Sequence, residues 1–509
     1  MIPLRLAREL TYQLARANEQ ERLANALAQI PLFVALYDSE SKFDLLALWA
    51  PLSTSGYEPA RYYSDALDLV RGQRSSLLPD ALKYLHAFFE IRGSYDVALQ
   101  LAEELLAWSE NAHAPRYQYQ AHCGIGEIMR RRGDYDLAMS HFAASLKIAE
   151  ALGEPHRVMN SVGSIGLIHW SQSRYPEAMS YYEKRLALAE SIGDKHGASI
   201  AIANIGSVHG EQGHYSLALE CYGRRLSLAE AMGDMRGMAV TLGNIGMIEV
   251  VEGHYSNAKV NLRRSLSIAD ALGDAQSSAV ALGNMGTVLH KEGHFEEALD
   301  YHHRYLALEE SLGARRGIAA GFGEIGAVYE SQGRYDDALR SYRLALEGHS
   351  QIRSRYGMTI WLLCIARVLL EQAIENRPDS FPRQLEKGKE ELLAEARSSA
   401  MEGLASAVDL GMSDVLFTGQ LLLARMDATE GKVESVIAKM EGMLGDTVDE
   451  EQRAELHYRL WKFEVAGHES EALSRYVLLY SRTPEFEFRQ RIAELKGERI
   501  PLSADELRD

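Results

Sequence analysis

Cysteine is nearly missing from this sequence. Three occur among 509 residues, Cys123, Cys221 and Cys364, too far apart for a disulfide framework or a zinc-binding spacing. A reducing, cytoplasmic setting fits that scarcity. Long apolar runs are missing as well. The N-terminus, Met-Ile-Pro-Leu-Arg-Leu-Ala-Arg-Glu-Leu, carries charges where a signal peptide needs an unbroken apolar core. No stretch of about 18 or more apolar residues is found, so no membrane span is expected. Positive charge is the minority sign, with 54 Lys and Arg against 72 Asp and Glu and a formal net charge of −18. Phosphate backbones and anionic membranes are bound through basic surfaces, so both are disfavoured as partners. A basic or mixed protein partner remains compatible.

Catalytic signatures are lacking too. There is no Gly-x-x-x-x-Gly-Lys-Ser/Thr, no Gly-x-Ser-x-Gly and no His-Glu-x-x-His. His290 and His294 flank a turn and His302 adjoins His303, but no cysteine or acidic cluster completes a metal site. No catalytic residue, metal or cofactor is expected. With 46% hydrophobic and 25% charged residues, the chain nonetheless has the composition of a folded protein.

What is present is a period. Gly126, Gly166, Gly206, Gly246, Gly286 and Gly326 lie forty apart. Tyr135, Tyr175, Tyr215, Tyr255, Phe295 and Tyr335 keep that step, as do Ala138, Ala178, Ala218, Ala258, Ala298 and Ala338. A period of roughly 20–50 residues means a solenoid, a propeller or an array. Residues 194–233 decide between them. Ala198, Ile202, Ile205 and Val208 trace one face of a helix, and Gly213 stops it. Leu217, Ala218, Cys221, Tyr222, Leu226 and Ala229 trace a second, which Gly233 ends, and Asp234 is placed to cap the next. The unit is a helical hairpin that can bury its apolar stripes only against its neighbours. Glycines inside the first helices, such as Gly243 with Gly246, cost about 1 kcal/mol each relative to alanine. Their recurrence predicts close approach, one at the crossing of the second helix and the other facing an open groove.

These residues resemble the tetratricopeptide repeat: a small residue in the first helix, an aromatic after the turn, then a small and a bulky residue four apart. Gly206, Tyr215, Ala218 and Tyr222 match, as do Gly246, Tyr255, Ala258 and Leu262. The forty-residue length and the Leu-Gly-Asn-Ile-Gly run at 242–246 look like the subgroup of kinesin light chains and Leu-Gly-Asn-type adaptors. The resemblance implies an all-α, right-handed superhelical solenoid of antiparallel helix pairs. It covers residues 114–353 as six regular repeats, with 74–113 a degenerate seventh. Residues 1–73 read as an N-terminal helical cap, 74–353 as the array, and 354–509 as diverged hairpins with a break at Pro378 and Pro382. Ile30–Tyr37 and Lys42–Trp49 look like the helical entry to the repeat half of STAND-type NTPases. One departure stands out: Arg185 and Arg225 occupy a crossing position that the family keeps small, which calls for splayed helices, snorkelling or acidic partners.

The candidate site follows from register. Asn204, Asn244 and Asn284 share one place, with Ser164 and Glu324 in the flanking repeats. In the family this place faces the concave groove, and an amide both donates and accepts, which suits an extended peptide. The other reading has these amides bonding within their own hairpin. Gly163, Ala203, Gly243, Gly283 and Gly323 precede them and leave the groove floor bare. Trp170, Gly210, Val250, His290 and Glu330 share a second groove place and vary, as positions reading a non-repeating ligand would. Lys184, Arg224, Arg264 and Arg304 form a basic row, either for an acidic ligand or as a solvated face paired with Glu220 and Asp300. Two functions remain: a non-catalytic scaffold holding a peptide or protein partner in the groove, or a sensor array that controls an effector enzyme on another chain.

Overall fold

The computed structural model describes residues 4–17, 19–38, 42–73, 75–375 and 388–497. Among the described residues every regular element is an α-helix. Seven precede the regular repeats: α1 (Leu4–Arg16), α2 (Gln20–Leu27), α3 (Ile30–Asp38), α4 (Lys42–Thr54), α5 (Pro59–Gly72), α6 (Leu78–Ile91) and α7 (Tyr95–Asn111). The repeats supply alternating first and second helices. These are α8 (Pro115–Arg132), α9 (Tyr135–Leu152), α10 (Pro155–Ser171), α11 (Tyr175–Ser191), α12 (Lys195–Glu211) and α13 (Tyr215–Met232). They continue with α14 (Met235–Val251), α15 (Tyr255–Leu272), α16 (Ala275–Glu292), α17 (Phe295–Leu312), α18 (Arg315–Ser331) and α19 (Tyr335–Gln351). Beyond them come α20 (Arg355–Glu375), α21 (Lys389–Leu410), α22 (Ser413–Thr429), α23 (Val433–Asp446), α24 (Glu450–Lys462), α25 (His468–Arg482) and α26 (Phe486–Lys496). This is the all-α solenoid of helix pairs that the period predicts. Pro378 and Pro382 lie outside the described residues.

The hairpin boundaries follow the punctuation of the sequence. Gly233 ends α13 in the left-handed region, at φ 66°. Asp234 then caps α14, its carboxylate accepting from the Gly237 N–H at 2.8 Å. Asp194 and Asp274 do the same for Gly197 and Ser277, at 2.9 and 3.2 Å. Each such cap is worth about 1 kcal/mol because it satisfies an otherwise orphaned helix donor.

The helices form two compact units. One holds the described residues through Gly233 together with Leu306–Ile318 and Gln351–Ser354. Its core is aromatic: Phe33, Trp49, Tyr63 and Phe88 are fully buried. The Trp49 indole donates to the Tyr63 hydroxyl at 3.0 Å, and that hydroxyl donates to the Leu27 carbonyl at 3.1 Å. In the same unit the Gly93 turn receives the side chains of Arg315 and Ile352, and Arg353 pairs with Asp96 at 3.3 Å.

The other unit holds Asp234–Tyr305, Ala319–Ser350 and the described residues from Arg355 onward. Helix α20 is long and apolar enough to cross a membrane by length and composition alone. Here Leu363, Ala366 and Leu370 are core residues packed with Leu392 and Ala396 of α21. Farther on, the corner between α25 and α26 seats on two repeat turns. Thr483 Oγ1 donates to the Val251 carbonyl at 3.3 Å, Lys291 donates to Glu485 at 2.5 Å, and the Phe295 and Phe486 rings meet edge to face at 5.0 Å. Gly253 and Gly293 make this possible. A Cβ there would stand 2.5 Å from Pro484 and 2.6 Å from Phe486.

Packing inside a repeat rests on the recurring glycines. A Cβ at Gly166, Gly206, Gly246 or Gly326 would lie 2.8 to 3.0 Å from Tyr182, Tyr222, Leu262 or Tyr342 of the following helix. The recurring alanines of the second helices are all fully buried. At Gly286 the covering residue is His302, fully buried, with neither ring nitrogen hydrogen-bonded among the described residues. Burial pushes that imidazole down from 6.5 to about 3. A ring harder to protonate in the fold than in the unfolded chain gives stability that is complete above pH 6.5 and lost as pH falls toward 3. His302→Leu, which copies Leu262, is expected to raise stability by about 1–2 kcal/mol at pH 7, because it removes a buried unsatisfied polar group. It should also flatten the loss on acidification. Urea melts at pH 7 and pH 5 measure both effects, and equal destabilisation of the two proteins by acid would contradict the assignment.

Candidate functional site

The first helices carry a solvent-facing stripe opposite the face that meets the second helices. On α14 its members are Val240, Asn244, Met247 and Val251, and on α16 they are Val280, Asn284, Thr287 and Lys291. The three-and-four spacing places each set along one side of its helix. Asn244 and Asn284 are half-buried, and neither amide has a hydrogen-bond partner among the described residues. The same holds for Glu324 on α18 and, in the first unit, for Ser164 on α10 and Asn204 on α12. The hairpin-turn reading of the asparagines is therefore not what this structure contains: the amides are held at the surface with donors and acceptors unspent.

Flanking them are apolar groups that sequence reasoning missed. Val240 is 40% exposed and Val280 is 54% exposed. The signal was available, since each lies four residues before an asparagine on the same helix side, off the face that builds the core.

Several expectations need correction. The glycines at the register before Ser164, Asn244, Asn284 and Glu324 do not all form a bare groove floor. A Cβ on Gly163 would meet Arg185 Nη1 at 2.5 Å, and one on Gly323 would meet the Trp361 ring at 2.2 Å. Gly243 is buried and faces the Ser265 hydroxyl at 3.7 Å, while Gly283 faces the Tyr305 ring at 3.8 Å. A Cβ at Gly243 or Gly283 would be in ordinary contact, whereas Gly163 and Gly323 make room for large side chains arriving from other helices. They also resolve the Arg185 departure: that arginine is only 9% exposed and lies across Gly163. Burial lowers its pKa.

The varying second place is not a row of ligand readers either. Val250 is 1% exposed. Glu330 is committed to the fold, accepting from Arg367 Nε and Nη2 at 2.5 and 2.8 Å and from the Tyr342 hydroxyl at 2.7 Å. His290 Nε2 and Ser331 Oγ are 2.7 Å apart, and burial pushes the imidazole down to about 4. Trp170 is half-buried against Ala178, Tyr182 and Val208. In the basic row Lys184, Arg224, Arg264 and Arg304 are exposed. Arg304 approaches Asp300 at 3.8 Å and lies over the Tyr301 ring, the arrangement of a solvated face. Among the described residues no group of three or more metal-ligating side chains occurs.

A tetratricopeptide-repeat family model matches residues 117–191, 157–231 and 237–311, and a second matches 322–356. These segments are tetratricopeptide repeats. The matched repeats include every asparagine of the stripe. Among curated proteins none matches the chain. Among solved structures the chain is similar to BtubC from P. vanneervenii, with 17% identity over 51% of this chain and 96% of that one and a TM-score of 0.34. It is similar to a Rap protein complexed with competence and sporulation factor, with 15% identity, 70% and 99% coverage and a TM-score of 0.42. The apo quorum sensor NprR from B. thuringiensis gives 14% identity, 68% and 98% coverage and a TM-score of 0.42.

Arg367→Ala would leave the Glu330 carboxylate half-enclosed without its cation. A loss of about 2 kcal/mol is expected, the scale of a charged hydrogen bond removed on one side only. Glu330→Gln together with Arg367→Ala should cost less than Arg367→Ala alone. Thermal melts of the unaltered chain, of Arg367→Ala, of Glu330→Gln and of the double variant test this, and a double variant destabilised by the sum of the two singles would rule out the coupling.

Proposed function

We propose that this chain is a non-catalytic binding scaffold, and that its repeats hold an extended peptide, or a flexible segment of a protein partner, along the stripe of the first helices. The observation carrying this reading is the set of unpartnered amides at one repeat register. A side-chain amide left half-buried without a bond is poised to exchange water for the N–H and C=O groups of a strand. The exposed valines beside them add apolar surface that an extended ligand could cover.

Replacing Asn204, Asn244 and Asn284 with alanine is expected to weaken partner binding while leaving the thermal melt unchanged. Each lost bond is worth about 1 kcal/mol, or roughly fivefold in affinity. The partner is obtained by affinity purification from the native cell with mass spectrometry. Unchanged affinity in the triple variant would remove the asparagine assignment.

A sensor that controls an effector on another chain is favoured by one observation. The corner at Thr483–Phe486 touches two repeat turns through a few contacts that a change in helix spacing would break. A sensor should change its small-angle scattering profile when the partner binds, and a passive scaffold should not. An unchanged profile counts against the sensor.

A further inference from the structure

Charge singles out one residue of the stripe. On α14, α16 and residues 319–331 of α18, the charged side chains are Arg236, Glu249, Lys291, Glu292, Glu324 and Glu330. Arg236 pairs with Asp274 at 2.8 Å, Lys291 with Glu485 at 2.5 Å, Glu292 with Lys259 at 2.8 Å, and Glu330 with Arg367 at 2.5 Å. Glu249 accepts from the Asn261 amide at 2.8 Å. Glu324 has neither an ion pair nor a hydrogen bond among the described residues. Both cations of these segments are thus neutralised within the fold; among the carboxylates Glu249 has only a neutral amide donor, and Glu324 has no partner of either kind. Burial raises the Glu324 pKa, the mark of an acid that lacks a counter-charge. The equivalent place on α20 holds Cys364, whose thiol burial pushes up to about 11, so no charge of either sign comes from there.

Taking the peptide-binding reading as given, we infer that the stripe selects a cationic segment. Its backbone meets Asn244 and Asn284, its apolar side chains meet Val240 and Val280, and one Lys or Arg side chain meets Glu324. First helices of successive repeats stand roughly 10 Å apart, which spans roughly three residues of extended chain. The basic residue therefore falls about three positions beyond the backbone unit held by Asn284. The net charge of −18 draws the same sign of ligand toward the chain at long range.

The test is selection from a display library of random twelve-residue peptides on the full chain, on Glu324→Gln and on Glu324→Lys. Glutamine keeps the shape and removes only the charge, and lysine reverses it. The chain should enrich peptides with Lys or Arg at one fixed position. Their affinity for Glu324→Gln should fall about tenfold, with Asp or Glu enriched by Glu324→Lys. Superimposable thermal melts establish that the variants fold. Peptides that bind through Asn244 and Asn284 without a basic preference, or with one that Glu324→Gln preserves, would overturn the charge assignment and leave the groove standing. No enrichment on any of the three proteins would overturn the groove and the charge assignment together.

Discussion

Within each repeat, a side chain of the second helix closes onto the bare backbone of a glycine in the first. A phenylalanine, tyrosine, leucine or histidine fills the place a Cβ would take, and the helices pack against each other there. The other regularities depend on that contact. The alanines of the second helices are fully buried because the helices come this near. The stripe carrying the asparagines faces solvent because the opposite side of the same helix is consumed by the crossing. A helix has only so much circumference: once one side is given to a close-packed neighbour, polar groups at the remaining places are left to water or to a ligand.

The architecture was legible because the same local signals recur. Left-handed glycine, apolar three-and-four spacing and an aromatic after the turn recur along the array, with an aspartate cap at Asp194, Asp234 and Asp274, and local agreement of this kind specifies a fold. The asparagine register was legible for the same reason. The role of the preceding glycines was not. Glycine inside a helix reports that something comes close and is silent about the direction of approach. Gly163 needed Arg185, and Gly323 needed Trp361, before its direction could be known. Glu330 was misread because its partner, Arg367, lies outside the regular array, where the period no longer guides the eye. Val240 and Val280 were overlooked because valine on a helix reads as core unless its angular position is followed.

Two kinds of polar group result, and they divide the labour. Glu330, Arg367 and Tyr342 satisfy one another and belong to the scaffold. Asn244, Asn284 and Glu324 keep their bonding capacity unspent. The difference arises from helix geometry more than from residue type, since a glutamate appears in both groups. His302 is a third case, a polar ring enclosed with no partner, which the fold tolerates in place of the aromatic or leucine of its sister repeats.

The corner at Thr483–Phe486 bears on how such a chain can evolve. Stacked repeats ordinarily gain or lose members with little penalty, since each touches only its neighbours. Here a segment roughly two hundred residues downstream is fitted to the turns at Gly253 and Gly293. Duplicating or deleting a hairpin between them would carry that segment out of register with both turns. The copy number of hairpins in this stretch is thereby fixed, and variation is channelled into the residues each one displays.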